Sequence, residues 1–340
     1  MLRSMVRQLR KAAFFARLDR YERALEVGLP THIQVEPTTR CNATCGWCSR
    51  STLAKHQLRN DLTPEVLTRI LETFPDLRSI RLLGLGELFL NGHVATLLGM
   101  LKERGIRVWA FSNGAFLADR RVRNLIHDHL FDLTVSIDSA DPEEFARLRP
   151  MGRVGLPEVV AGMRQLIEER DAGRSNLLVG VNCTISHTTY RVLDGVGDLC
   201  IDLGVDYLAV ATVENWLVDG DPGYQPATDF VADMMKHKRI IEKQVAALRR
   251  RLLLRGILTG YKTPEKRLGR CHWPFNSVHV ATDGTVTPCC IRTRAETHGL
   301  FNLLSDKPFE AHWNGETYRE LRRAHLARDT ANRMCGSCPM

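Results

Sequence analysis

The 340-residue sequence has no run of apolar residues that approaches the roughly eighteen needed to cross a bilayer. A basic N-terminus precedes only one short apolar stretch, residues 12–16, which is too short for the core of a signal peptide. The sequence therefore predicts a cytoplasmic protein without a membrane partner.

Blocks of lysine and arginine with interleaved aromatic residues are also missing, although the formal net charge is +8. The two densest basic stretches, residues 3–23 and 249–255, lie on predicted amphipathic helices, where a solvated helix face explains them. We therefore expect no nucleic-acid partner. Lysine is scarce beside arginine, at 9 against 38 residues, and this bias suits binding of a polyhydroxylated or phosphorylated small molecule.

Cysteine, in contrast, is abundant, with ten residues. A reducing cytoplasm keeps thiols reduced, so these cysteines indicate metal sites or catalysis rather than disulfides. Eight of the ten lie either within residues 41–48 or after residue 270. This distribution predicts two separate centres.

Strand and helix signals alternate between residues 32 and 211. Six short strands rich in Val, Ile and Leu are predicted at residues 32–36, 79–83, 107–111, 133–137, 177–185 and 207–211. Such units imply parallel strands with helices outside, and six units fall short of the eight of a full barrel. The predicted fold is α/β: a partial (β/α)6 TIM barrel, open on one side, with a small C-terminal domain of a β-hairpin and helices.

The sequence divides into four predicted segments. An N-terminal helix occupies residues 1–30, the barrel core 31–224, a long connecting helix 225–262, and the C-terminal domain 263–340. In the last segment, alternating residues around Asp283-Gly284 predict a hairpin.

The first cysteine group, Cys41, Cys45 and Cys48, directly follows the first predicted strand. Three thiolates at these spacings wrap a loop around one metal centre. In a [4Fe–4S] cluster they leave one iron without a protein ligand, which can then bind a small molecule. A zinc site completed by His56 is the alternative.

With Trp47 before the last cysteine, this loop resembles the signature of radical S-adenosylmethionine (SAM) enzymes. The resemblance extends over nearly the whole chain. It implies that the open iron binds SAM, and that the reduced cluster cleaves SAM to methionine and a 5′-deoxyadenosyl radical, which abstracts a hydrogen atom from carbon. It also implies an electron donor such as flavodoxin or ferredoxin.

Polar residues follow three further predicted strands and resemble the family's SAM-binding motifs. Gly84-Leu85-Gly86-Glu87-Leu88 resembles a Gly-Gly-Glu-Pro motif that holds the amino group of SAM, with leucines in place of a glycine and the proline. Ser112-Asn113 resembles the start of a Thr-Asn-Gly turn. Ser136 and Asp138 resemble a Ser-Ile-Asp segment that faces the ribose and carboxylate of SAM.

The second cysteine group closes the chain. Four thiolates ending in a Cys-x2-Cys pair are also typical of a zinc ribbon. Their spacing around Gly284 resembles the SPASM extension of radical SAM enzymes, in the shorter form called a twitch domain. This resemblance implies one auxiliary [4Fe–4S] cluster. Its implied ligands are Cys271, Cys289, Cys335 and Cys338, and Cys290 is an alternative to Cys289.

Two cysteines lie between the groups. Cys200 falls on a predicted helix between apolar neighbours, which indicates a buried structural thiol. Cys183 lies on the fifth predicted strand. If its side chain points into the barrel, it is a candidate to donate a hydrogen atom to a substrate radical; otherwise it is a packed thiol.

The resemblance implies a hydrogen-abstracting oxidoreductase, and an auxiliary cluster suits a net two-electron oxidation. We expect a small polar substrate, because the 40 residues before the first cysteine do not accommodate the peptide-binding module of peptide-modifying relatives. Dehydrogenation of a secondary alcohol in a sugar or aminocyclitol is the favoured reaction. The candidate bases are Glu214 and Asp138. Epimerisation and peptide modification remain alternatives, as does a zinc-bearing nucleic-acid-binding protein.

Overall fold

The computed structural model describes residues 6, 7, 9, 13, 22–186, 189–213, 228–261, 271–329 and 335, and for 228–235 it describes the backbone only. Of the helix predicted over residues 1–30, residues 6, 7, 9 and 13 are helical, residues 22–30 are not, and the others lie outside this set. The prediction is therefore wrong for its last nine residues, and the four segment boundaries stay predictions.

Six parallel strands form the centre of one sheet and lie side by side in chain order. The predicted strands are confirmed, with ends that differ by at most three residues. They are His32–Val35 (β1), Ser79–Leu82 (β2), Arg107–Ser112 (β3), Leu130–Ser136 (β4), Leu178–Ile185 (β5) and Tyr207–Thr212 (β6).

Helices connect these strands, as the partial-barrel prediction requires. They are Pro64–Thr73 (α1), Val94–Glu103 (α2), Arg120–His129 (α3), Pro142–Leu148 (α4), Leu156–Glu169 (α5), Leu193–Leu203 (α6) and Thr228–Leu253 (α7). Local sequence fixes where they begin: Thr63 accepts a hydrogen bond from the Val66 N–H, and Pro64 takes the first helical position. In the described part of the chain, no helix has the length and apolar character that a bilayer crossing requires.

A seventh parallel strand, Leu258–Tyr261 (β7), pairs with β6 and was not predicted from the sequence. It lies within the segment 225–262 that was predicted as the long connecting helix, but α7 ends at Leu253 and the strand begins at Leu258. Its four residues include a glycine and show no pattern that distinguishes a strand from a loop.

The C-terminal part continues the same sheet. It consists of Trp273–Asn276 (α8), His279–Val280 (β8), Thr285–Thr287 (β9), Ala295–His298 (α9), Phe301–Asn302 (β10), Phe309–Trp313 (α10) and Glu316–Leu326 (α11). The predicted hairpin is confirmed: β8 and β9 are antiparallel, and Gly284 has a φ of +82° in their turn. Because β8 pairs in parallel with β1, the described strands form one sheet in the order β10-β9-β8-β1-β2-β3-β4-β5-β6-β7.

The two faces of this sheet differ in chemistry, because successive side chains of a strand point to opposite sides. The face towards the helices carries the apolar core, including Ile33, Val35, Ile80, Leu82, Val108 and Ala110. We call the space on the opposite face the lumen. Gln34, Arg81, Trp109 and Asp132 are neighbours in register across β1–β4, and we call them the floor row. The lumen is therefore lined by polar side chains.

Candidate active site

The loop with the first three cysteines leaves the carboxyl end of β1 and is held by hydrogen bonds to backbone carbonyl groups at its base. Arg50 donates from Nε to the Thr39 carbonyl oxygen at 2.6 Å, and the Thr39 N–H donates to the Asn60 carbonyl oxygen at 2.9 Å. The thiols of Cys41, Cys45 and Cys48 are half-buried. The loop thus presents three thiols from one short segment.

Burial raises the pKa of the Cys45 thiol to about 11, against the lowering effect of Arg149. Burial also raises the pKa of Cys41, and the nearby Cys48 adds to the rise for both thiols. A thiolate in this loop therefore needs positive charge beside it. The irons of a cluster provide that charge, so the donor set fits an iron–sulfur cluster.

Gly86 allows the predicted SAM-binding segment, residues 84–88, to pack against this loop. A Cβ at position 86 would lie 2.2 Å from the Thr38 carbonyl oxygen and 2.6 Å from that of Arg40. The neighbouring Glu87 N–H donates to the Arg40 carbonyl oxygen at 2.7 Å. Gly84 is restricted by a side chain, since its Cβ would lie 2.3 Å from Glu36 Cγ. Both glycines are required by close approach, whereas Leu85 donates its N–H to Glu36 Oε1 at 2.9 Å.

Glu87 joins the third predicted motif to this turn. Its carboxylate is 2% exposed and accepts hydrogen bonds from Ser112 Oγ at 2.8 Å and from the Asn113 N–H at 2.7 Å. Burial raises the pKa of Glu87 to about 6. Asn113 Nδ2 donates to Asn42 Oδ1 at 2.7 Å and lies 4.0 Å from Cys41 Sγ. The structure therefore brings Glu87, Ser112 and Asn113 together beside the cysteine loop.

Asp138 is fully buried and is not a free carboxylate. Arg149 donates from Nε to Asp138 Oδ2 at 2.5 Å, and the Thr184 N–H donates to Asp138 Oδ1 at 2.7 Å. Arg149 Nη1 lies 3.9 Å from Cys45 Sγ. The Asp138 carboxylate therefore positions Arg149 beside the cysteine loop, and the predicted roles of Asp138 in catalysis and SAM binding stay predictions.

Arg149 is the site residue that sequence reasoning missed. Burial lowers its pKa, but the adjacent Asp138 and the Cys45 thiol outweigh this effect, so the net shift is upward. No spacing pattern marks it, because it lies in the loop after α4. Only its ion pair with Asp138, which follows the end of β4, brings Arg149 to the site.

The remaining predicted residues of the barrel lie in different environments. Ser136 faces the lumen beside Asn182, and Trp47 is half-buried in the cysteine loop. Cys183 is fully buried in the apolar core on the helix side, near Cys200, whose predicted burial is confirmed. This placement does not provide the lumen-facing thiol on which a hydrogen-donor role for Cys183 depended.

Several predicted positions of the second cysteine group are also described. Cys271, Cys289 and Cys335 are half-buried, as is Cys290, and Cys335 Sγ lies 3.5 Å from His325 Nε2. Cys338 and the candidate base Glu214 lie outside the described residues. Among the residues that the structure covers, no three Cys, His, Asp or Glu side chains converge as ligands of a single ion. The irons of a four-iron cluster occupy separate corners, so its cysteines need not meet at one point.

Comparison with protein families accounts for both cysteine groups. The model of the radical SAM superfamily matches residues 35–182, which include the first group. The model of SPASM, an iron–sulfur cluster-binding domain, matches residues 271–339, which include the second. This chain is a radical SAM enzyme with a C-terminal SPASM domain.

Curated relatives of this radical SAM enzyme are distant. The tungsten-containing aldehyde ferredoxin oxidoreductase cofactor-modifying protein of Pyrococcus furiosus is 22% identical over 186 residues, which are 54% of this chain and 51% of that protein. The chain thus spans about half the length of that relative. The GTP 3′,8-cyclase of Aquifex aeolicus is 27% identical over 333 residues, which cover 90% of this chain and 95% of the cyclase.

Solved structures share the fold of this radical SAM enzyme. SuiB of Streptococcus suis, bound to its precursor peptide SuiA, aligns with a TM-score of 0.66 at 17% identity, covering 97% of this chain and 73% of SuiB. At that identity the similarity shows the fold alone.

Membership in this family defines the cofactors. They are SAM, a SAM-binding [4Fe–4S] cluster and an auxiliary cluster. The buried thiols of the cysteine loop, the adjacent Arg149 and the Glu87 turn fit the first cluster and SAM. The assignment of each cysteine to its cluster stays a prediction.

A cavity of about 120 Å³ lies between the barrel and the start of the SPASM domain, and we call it the floor cavity. It reaches the first residues of β1 and β2, at the end of the strands opposite to the cysteine loop. Its lining includes Gln34, Arg81 and Trp109 of the floor row, together with His272. Since His272 directly follows Cys271, the second cysteine group begins beside the floor of the lumen.

Proposed function

We propose that this radical SAM enzyme dehydrogenates a secondary alcohol of a small polar compound of the sugar or aminocyclitol type. One observation carries the proposal: the floor cavity is lined both by lumen-facing strand residues and by His272, the neighbour of Cys271. A substrate in the lumen would then lie between the two cysteine groups, with an electron acceptor beside it.

Oxidation of the alcohol requires the site to remove a hydrogen atom, a proton and an electron. The alcohol carbon loses a hydrogen atom, the hydroxyl loses a proton, and one electron leaves as the carbonyl forms. When bound, the SAM–cluster pair supplies the hydrogen-abstracting radical, and the auxiliary cluster supplies a one-electron acceptor. The chain holds these groups, shields them and accepts the proton, and a flavodoxin or ferredoxin is the proposed electron donor.

Glu214 is the proposed proton acceptor. In the sequence it follows the carboxyl end of β6 by two residues, and barrels of this kind carry their active sites at the carboxyl ends of the strands. Glu214 is preferred to Asp138 because the Asp138 carboxylate already accepts hydrogen bonds from Arg149 and Thr184.

The lumen itself supports a small polar substrate. Its half-buried wall includes Ser136, Asn182 and Thr184, which offer hydroxyl and amide groups, beside the small side chains of Ala209 and Ala211. The alignment with a GTP 3′,8-cyclase over 90% of this chain favours a small polar substrate as well. The similarity to peptide-bound SuiB makes a peptide the competing substrate class.

The test is an anaerobic reaction of the reconstituted enzyme with reductant, SAM and a panel of sugars and aminocyclitols. We expect 5′-deoxyadenosine together with a product that has lost two hydrogens. Cys271→Ala should retain SAM cleavage and lose the oxidised product, because Cys271 is a predicted ligand of the auxiliary cluster and not of the SAM-binding cluster. Cys200→Ala, which deletes one buried thiol outside both cysteine groups, should retain both activities.

The same reaction in deuterated water separates the alternatives. A product of unchanged oxidation state that carries deuterium on carbon would identify an epimerase and overturn the dehydrogenase assignment. Oxidation of a peptide, with no reaction of any sugar or cyclitol, would overturn the substrate class.

A further inference from the structure

Arg81, a charged residue of the floor row, has no counter-ion among the residues that the structure describes. It lies on β2 between Gln34 of β1 and Trp109 of β3, in register with both, and all three line the floor cavity. No hydrogen bond or ion pair joins Arg81 to another residue in the described part of the chain. The acid of the row, Asp132, accepts a hydrogen bond of 2.6 Å from the Tyr207 hydroxyl instead.

The described lining of the floor cavity carries positive charge and no negative charge. None of the described residues that line it is acidic, and Arg81 contributes a permanent positive charge. His32 adds none near neutral pH, because burial lowers its pKa to about 4 and its Nδ1 lies 2.7 Å from Ser79 Oγ. A guanidinium in a partly enclosed cavity without an acid favours an anion beside it.

A second polar group faces the same space with unused hydrogen-bonding capacity. Gln34 is 1% exposed and lines the floor cavity, and its Oε1 has no hydrogen-bond partner among the described residues. Its Nε2 lies 3.3 Å from Nδ1 of the buried His279 on β8. Buried amide groups are normally satisfied, so this orphan atom indicates that a bound molecule completes the site.

The volume of the floor cavity sets the size of that group. About 120 Å³ is several times the space that one water needs, and it admits a small oxyanion group with a polar substituent. The planar fork of an arginine matches two oxygens of a carboxylate or a phosphate.

We propose that Arg81 binds an anionic group, a phosphate or a carboxylate, of a substrate that extends from the cysteine loop to the floor of the lumen, and that Gln34 contacts a hydroxyl of the same molecule. That the bound anion is the substrate rests on the proposed function. The anion site itself does not, so it can be tested without turnover.

The experiment is calorimetric titration of the anaerobic holoenzyme, saturated with SAM, with inorganic phosphate and separately with acetate. The variants are Arg81→Gln, Arg81→Lys and, as a matched control, Arg104→Gln, which removes an exposed arginine outside the lumen. We expect saturable binding of at least one anion by the wild type. Arg81→Gln should weaken it about tenfold or more, Arg81→Lys should weaken it less, and the control should bind as the wild type does.

Cluster absorbance and the circular dichroism spectrum verify that each variant is folded and loaded. Binding of phosphate alone or of acetate alone assigns the anion class. Equal binding by the wild type and Arg81→Gln, or no saturable binding of either anion by the wild type, would overturn the proposal. If the site is found and no acidic sugar or cyclitol is oxidised, the anion site stands and the proposed reaction fails.

Discussion

The ion pair between Asp138 and Arg149 allows a quantitative test of how this site is held together. Arg149 Nε lies 2.5 Å from Asp138 Oδ2, and the side chains are 12% and 0% exposed. Asp138→Asn preserves the shape and keeps an acceptor for the Thr184 N–H, but it leaves the Arg149 guanidinium without a carboxylate. Removing one partner of a buried pair costs about 3–5 kcal/mol of unfolding free energy, because the other charge stays desolvated.

A second ion pair in the same chain provides the control. Arg164 Nη2 lies 2.6 Å from Asp202 Oδ2, nearly the same distance, but these side chains are 45% and 61% exposed. Asp202→Asn should therefore cost less than about 1 kcal/mol, since solvent screens the exposed pair. The two substitutions are chemically identical and differ in burial.

The assay is urea unfolding of the anaerobic holoenzyme followed by circular dichroism, with the free-energy difference taken from the midpoints at unchanged slope. Asp138→Asn should also slow formation of 5′-deoxyadenosine, because Arg149 lies 3.9 Å from Cys45 Sγ and depends on Asp138 for its position. Equal midpoints for the two variants would refute the assignment of Asp138 as the residue that holds Arg149.

Three further predictions concern single residues. Gly86→Ala should weaken SAM binding at least tenfold in equilibrium dialysis, since its Cβ would lie 2.2 Å from a backbone carbonyl, whereas Gly99→Ala, with nothing within 4 Å, should leave binding unchanged. Burial raises the pKa of Glu36 from 4.5 to about 7. Between these pH values the folded chain keeps the Glu36 proton and the unfolded chain has released it. The free energy of unfolding therefore falls as the pH rises from 4.5 through 7. Glu36→Gln should flatten that decline in thermal unfolding from pH 5 to 8, and an unchanged pH profile would contradict the assignment. Glu214→Gln should lower turnover of the alcohol about 100-fold while SAM is still cleaved, and undiminished turnover would remove Glu214 as the base.

The strand-end motifs could be predicted because each depends on neighbours in the sequence. Parallel strands with intervening helices place their carboxyl ends at one edge of the sheet, so Glu87, Ser112 and Asn113 were expected near the cysteine loop before any contact was known. The motif resemblance also marks Gly86, and the contact that a Cβ there would make with the Thr38 carbonyl oxygen gives the physical reason for a glycine.

Side-chain direction was harder to predict than position in the chain. Asp138 and Cys183 both lie near strand ends, and both were candidate catalytic groups. The alternation of β5 turns Cys183 towards the helices, and the carboxylate of Asp138 is occupied by Arg149. Neither outcome follows from residue type or spacing.

The sequence by itself determined the family, the alternation of strands and helices, and the two cysteine groups, because these are encoded in short spacings and local periodicity. Only the tertiary structure decided that β8 pairs with β1 across more than 240 residues, which sets the SPASM domain against the barrel floor. It also decided that Arg149 reaches Asp138 and Cys45, and that no described acid pairs with Arg81. Such contacts depend on strand register and on which distant side chains share a buried space, and a local pattern carries no information about either.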